Sequence, residues 1–227
     1  MKYFDCAIIP IKSQTTHREN DMLSFMLGAF FNTAKAAPTE YALLANKGIL
    51  YINVYKDPEA LGAALAHDHA IQSVGWSGKA TWDPDNAAAC NISVTVPVNN
   101  LQVDRKETRQ ISGLEGEVSD SQRAEITQNM LAKDQLNAAN HPTISFQSTG
   151  CSADGEKVTL NGNFSLRGVS KSISVPVTVS TDDGVRIKGS FKIKATDYGF
   201  EPYSALFGQI RNSNEMKVTL DLQGVAR

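Results

Sequence analysis

His67-Asp68-His69 is the arrangement in this sequence best suited to chemistry, because an H-x-H on a strand turns both imidazoles to one face, as many metal sites require. Two ligands do not make a site. His141 and a carboxylate such as Asp68 or Asp197 would complete one only if the fold brought them together, and hydrogen bonding at a rim is the plainer reading of the pair. The expectation is no metal, with a metal-dependent activity at His67/His69 as the rival. No G-x-S-x-G elbow, H-E-x-x-H pair or G-x-x-x-x-G-K-[ST] loop occurs, so no catalytic residue and no enzyme is expected. The paired acids Asp182-Asp183 and Glu115/Glu117 fall in turn-like stretches, where solvated surface is the ordinary explanation.

Cys90 and Cys151 stand at the start of one expected strand and the end of the next. In an antiparallel pair those ends face each other, which makes a disulfide a candidate beside two unpaired thiols. A net charge of -2 supplies no basic surplus for nucleic acid. No stretch reaches the length of a membrane-spanning helix, yet residues 22–31 form an apolar run followed by Ala34-Lys-Ala36, the order of a signal peptide and its cleavage site. Asp5, Glu19 and Asp21 offset Lys2, Lys12 and Arg18 upstream of it, unlike an n-region. The expected division is 1–36 as a signal or disordered extension and 37–227 as the folded domain. A periplasmic or secreted chain is favoured, with a cytoplasmic chain bearing an amphipathic N-terminal helix as the alternative.

What must position these residues is a β-structure. From Lys47 onward the apolar period is two. Leu50, Ile52 and Val54 share a face, as do Ile92, Val94, Val96 and Val98. The pattern returns in Val158-x-Leu160-x-Gly162-x-Phe164-x-Leu166, in Ile173-x-Val175-x-Val177-x-Val179, in Val185 to Ile193, and in Met216 to Leu222. With 74–82 and 143–150, eight antiparallel strands are expected, separated by turns such as Asp154-Gly155 and Asp182-Asp-Gly184. Pro97 and Pro176 fall on the outward phase, so each belongs at an edge or bulge. A helix is predicted over 120–133, capped by Ser119, with Ala124, Thr127, Met130 and Leu131 on its inner side, and helical turns over 60–66 and 203–210.

An eight-stranded all-β sheet with one apolar face buries it by closing into a barrel or splitting into a sandwich. A barrel of this size is either just filled or just wide enough for a small ligand. Inward Gly162 and Gly189 remove side-chain volume, which favours a cavity; bends at barrel corners explain them equally well. The lining expected to hold an apolar ligand is Val94, Val96, Phe146, Leu160, Phe164, Ile173, Val175, Ile187, Phe191 and Leu220. His67, His69 and Tyr198 are candidates for its mouth. The pattern also permits a homodimer or a filled barrel serving as an envelope interaction protein.

Local sequences then become specific. His141-Pro-Thr-Ile-Ser-Phe-Gln-Ser-Thr149, and Gly162-Asn-Phe-Ser-Leu-Arg-Gly-Val-Ser-Lys171 leading into Ser-Ile-Ser-Val-Pro-Val177, resemble the YceI-like, polyisoprenoid-binding, lipocalin-like family. Trp76-Ser-Gly-Lys-Ala-Thr-Trp-Asp-Pro84 is similar to its early strand and turn, and the resemblance covers about 48–224. It implies an eight-stranded lipocalin-like barrel, with a helix between strands three and four closing one side, that carries a long isoprenoid or quinone-like lipid without catalysis. Ala195-Thr-Asp-Tyr-Gly199 departs from the family's Arg, Ser/Thr, Asp, aromatic, Gly pattern, so no head-group contact carries over from that arginine.

Overall fold

The structure is a computed structural model and describes residues 37–154 and 157–227. The expected signal segment and the boundary after Ala36 lie outside the described residues. Twelve strands and two α-helices follow in order: β1 (Thr39–Leu44), β2 (Ile49–Lys56), β3 (His69–Ser73), β4 (Ser77–Trp82), β5 (Asn91–Pro97), β6 (Leu101–Val103), α1 (Lys106–Ile111), α2 (Asp120–Leu131), β7 (Thr143–Asp154), β8 (Lys157–Leu166), β9 (Val169–Ser180), β10 (Val185–Lys194), β11 (Ser204–Ala205) and β12 (Ile210–Ala226).

Eleven of these segments make eight staves, and β11 pairs only with β12 outside the ring. β1 and β2 run in line, both antiparallel to β12, and β3 with β4 and β6 with β5 continue one another in the same way. Going round, β1/β2 pairs with β4/β3, then β5/β6, β7, β8, β9, β10 and β12, and β12 returns to β1 through Tyr41↔Ala226 and Leu43↔Gly224. The expected closed, antiparallel, eight-stranded barrel is therefore what forms. It begins at Thr39, eight residues before the sequence pattern indicated. Between β1 and β2 the backbone N–H groups of Lys47 and Gly48 both donate to Leu44 O, in a turn that interrupts one long stave.

Alternation sends the expected side chains inward, and the apolar core is continuous around the ring. Irregularities have local causes. A bulge interrupts the β7–β8 register between Ser148 and Gly150, and there the Ser148 hydroxyl accepts the Ile92 N–H at 2.7 Å, replacing a ladder partner. Pro176 has no N–H to give, and the β9–β10 ladder ends at Gly189↔Val177 beside it. Neither inward glycine leaves open space. A Cβ on Gly162 would sit 2.5 Å from the Phe146 ring, and one on Gly189 would sit 2.4 Å from Pro176 O, so the first admits an aromatic ring and the second a neighbouring backbone.

α2 starts with a full capping box between Ser119 and Gln122. It contributes no fully buried residue, and Ala124 is exposed rather than inward. The helical turn expected over 203–210 forms only as a 3-10 turn, Leu206–Gly208, at the tip of a small hairpin of β11 against β12, where Leu206 and Phe207 are exposed. In 60–66 only Ala63–Leu65 forms a 3-10 turn.

Cys90, just before β5, and Cys151 in β7 are joined as a disulfide, with Cα atoms 6.0 Å apart and a sequence separation of 61. A loop of that length, closed in the unfolded chain, is worth about 4 kcal/mol by chain entropy. Urea unfolding with and without reductant should therefore differ by roughly 2–4 kcal/mol, and both thiols should alkylate in denaturant only after reduction. Equal stability in the two conditions would contradict the bond.

Candidate functional site

Among the described residues, two apolar cavities lie in the barrel interior. The inner one, of about 70 Å³, is lined by Val94, Val96, Phe146, Leu160, Phe164, Val175, Ile187, Phe191 and Leu220 together with neighbours such as Leu50, Ile92 and Val218, and its only polar side chains are Ser73 and Ser145. Nine of the ten residues expected from alternation meet there. Ile173 does not; it pairs with Gly162 and packs half-buried against the core, toward the side where the β9–β10 ladder has ended.

The outer cavity, of about 130 Å³, lies under α2. Ile126 and Met130 from the helix, Gln135 and Leu136 after it, and Pro202 and Tyr203 from the 199–203 segment cover it, while Ile52 and Ile144 line both cavities. Displacing those two side chains would join the chambers into one channel.

The cover is held by packing of Ile126, Met130, Leu131 and Leu136 on the core and by polar contacts at the rim. Arg167, at φ 52 in the two-residue turn between β8 and β9, donates to Lys133 O at 3.0 Å and to Gly199 O, and its guanidinium lies 5.8 Å from the Phe200 ring centre. Asn129 donates to the Tyr203 hydroxyl at 3.3 Å, and Gln135 donates to Glu201 O at 3.1 Å. The Arg167-Gly168 motif thus acts as a staple at the rim. His141, from the other motif, packs its ring against Gly168.

The three mouth candidates separate. His67 is exposed in the loop before β3 and lines neither cavity, so only His69 of the H-x-H lies on a strand. Tyr198 is not at the mouth: it is 2% exposed, stacks edge-on against Phe164 at 5.6 Å between ring centres, and burial, aided by the nearby Asp197 carboxylate, pushes its phenol pKa up. Its place in a 3-10 turn, Ala195–Tyr198, rather than on a strand, swings the ring into the core. His69 does line the outer cavity. Among the described residues, no group of three or more His, Cys, Asp and Glu could hold a metal ion.

His69 belongs to a buried polar cluster that alternation does not reveal. Asp104, whose side chain is fully buried, accepts from His69 Nδ1 at 2.7 Å, from the Ala70 N–H at 2.9 Å and from Arg109 Nη1 at 2.9 Å. Burial pushes the Asp104 carboxyl up, and the hydrogen bonds from His69 and Ala70, with Arg109 behind them, outweigh it and hold the group below its ordinary value. Arg109 spends its remaining donors on the carbonyls of Asp68, Glu115 and Gly116. The clue in the sequence is slight: an acid and an arginine five residues apart, where the last short strand turns into α1.

A closed antiparallel barrel with a helix-covered apolar interior defines the class: a scaffold built to enclose a water-avoiding molecule or a core of its own side chains. Residues 61–224 match the YceI-like domain, and the chain belongs to that family. A UPF0312 protein of Pseudomonas aeruginosa is 27% identical over 133 residues, 56% of this chain and 60% of the relative, so the match spans less than two thirds of that protein. Burkholderia cenocepacia BcnA shares the fold at TM-score 0.59 and 16% identity over 79% of this chain and 98% of its own. A polyisoprenoid binding domain from Saccharophagus degradans implicated in plant cell wall breakdown does so at 0.54 and 12%, over 82% and 98%. No helix among the described residues is long and apolar enough to cross a membrane.

Asp104→Ala should destabilise the protein by about 3–5 kcal/mol, because it strands the Arg109 charge, 8% exposed, without its partner; denaturant unfolding reads this directly. Since the folded-state pKa of Asp104 is depressed, its stabilisation is complete above the unfolded carboxylate value and is lost as pH falls through the folded one. Wild-type stability should accordingly drop below about pH 4 more steeply than that of Asp104→Asn. Parallel curves would remove Asp104 from that role.

Proposed function

We propose that this chain is a non-catalytic carrier that sequesters a long apolar lipid, isoprenoid-like or quinone-like, in the barrel. The observation that carries the reading is the inner cavity, enclosed by aliphatic and aromatic side chains with two serines as its only polar members. Burial of each methylene is worth about 0.8 kcal/mol, so a chain gains about 8 kcal/mol for roughly every ten carbons buried, and a long chain has many such carbons to set against the costs of association. No hydrogen bond is needed for that. The polyisoprenoid-binding domain of Saccharophagus degradans shares the fold and lends the isoprenoid class its support.

Exchange then requires α2 and the 133–141 segment to lift. The helix suits a cover because it buries no residue fully and is tied down at Arg167, Tyr203 and Glu201. The disulfide supports a periplasmic or secreted location, where oxidising conditions preserve such bonds.

An organic extract of the purified protein, analysed by mass spectrometry, should yield a prenyl lipid. Absence of any extractable lipid together with failure to take up a dansylated prenyl probe would overturn the proposal. Ile52→Trp, which fills the junction of the two cavities, should weaken probe binding at least about tenfold while the circular dichroism spectrum is retained. Arg167→Ala should accelerate probe release with a smaller effect on affinity, read by stopped-flow displacement.

A further inference from the structure

His69 is the one residue of the outer cavity whose chemistry is set by groups outside it. The Asp104 carboxylate, ionised and clamped by Arg109 and the Ala70 amide, only accepts; the proton between it and His69 therefore sits on Nδ1. In the neutral ring the opposite nitrogen, Nε2, keeps its lone pair; the Nδ1 edge is committed to a fully buried partner, and the ring lines the space under α2. An imidazole held this way takes a donor rather than an acceptor.

The rest of the wall narrows the choice. None of the side chains lining the outer cavity is a lysine, arginine, aspartate or glutamate, among the described residues. An anionic head such as a phosphate would be buried there without a counter-charge, at a desolvation penalty that a neutral group escapes. A hydroxyl is neutral and donates one hydrogen bond. The Tyr203 hydroxyl, which already accepts from Asn129, keeps its own proton for the oxygen of such a group.

We propose that the outer cavity is a head-group site in which His69 Nε2 accepts a hydrogen bond from a neutral hydroxyl, so that the carried molecule is a prenyl alcohol or hydroquinone and not a prenyl phosphate. This rests on the carrier reading of the barrel. Asp104 and Arg109 act through His69 as positioning residues. The inner cavity takes the chain, the outer one takes its polar end, and the cover closes over the head.

The test is displacement of a dansylated prenyl probe from the purified protein by three ligands of one chain length: geranylgeraniol, its monophosphate and the corresponding hydrocarbon. The alcohol should bind about tenfold more tightly than the hydrocarbon, as one well-made buried hydrogen bond allows, and more tightly than the phosphate. His69→Phe should erase the alcohol's advantage over the hydrocarbon. Hydrocarbon binding with no alcohol advantage, an advantage that survives in His69→Phe, or preference for the phosphate would each overturn the head-group site while leaving the carrier reading intact; no displacement by any of the three would sink both. Nitrogen-15 NMR of the unliganded wild-type imidazole reads the same claim without a variant: protonation on Nδ1 is expected, and the Nε2–H tautomer would contradict it.

Discussion

The ladder along β12 is the constraint on which the rest of this structure depends. That one strand pairs with β10 on one edge and with β2 and then β1 on the other, and so converts a meander with two open edges into a ring. Closure satisfies the backbone groups that edges would leave unpaired and gives every second side chain on every stave a common interior. The interior cavities, the burial of Tyr198 and the position of the cover over one end all follow from it. Leu43 against Gly224, at the seam itself, is where the first stave meets the last.

Alternation made most of this readable from the sequence, because a period of two fixes which side chains share a face, and closure then makes that face an interior. Val94, Leu160, Val175 and Ile187 could be placed in the lining for that reason alone. Ile173 obeyed the same rule but lies where the β9–β10 ladder has stopped, and facing inward there does not mean facing the cavity. Gly162 and Gly189 expose another limit: a missing side chain announces close approach, but not by what. Tyr198 and the His67/His69 pair were unreadable in detail because irregular backbone, a 3-10 turn and a loop, sets their directions. The Asp104–Arg109–His69 cluster draws on β6, α1 and β3, and no one-dimensional pattern joins three such segments.

The two ends of the molecule divide labour on physical grounds. Deep in the barrel the walls are aliphatic and interact with anything apolar, without preference of direction. Under α2 the wall contains side-chain amides, a tyrosine and an imidazole hydrogen-bonded to Asp104, which do have direction. The cover is hydrogen-bonded to the rim at Arg167, Tyr203 and Glu201, and α2 sets half-buried side chains, Ile126, Met130 and Leu131, against the core without burying any of them fully. The buried ion pair sits behind the imidazole, at the junction of β3, β6 and α1, where its rigidity fixes a ring that would otherwise rotate.

Entry of an apolar chain into the barrel is read at the residues concerned by methyl NMR of isoleucine- and leucine-labelled protein titrated with a prenyl alcohol. Large, saturable shifts are expected at Ile52, Ile144, Leu160, Ile187 and Leu220, with the surface methyls of Leu61, Leu65 and Leu206 unmoved. Shifts confined to those surface leucines, with the interior methyls unchanged, would contradict it.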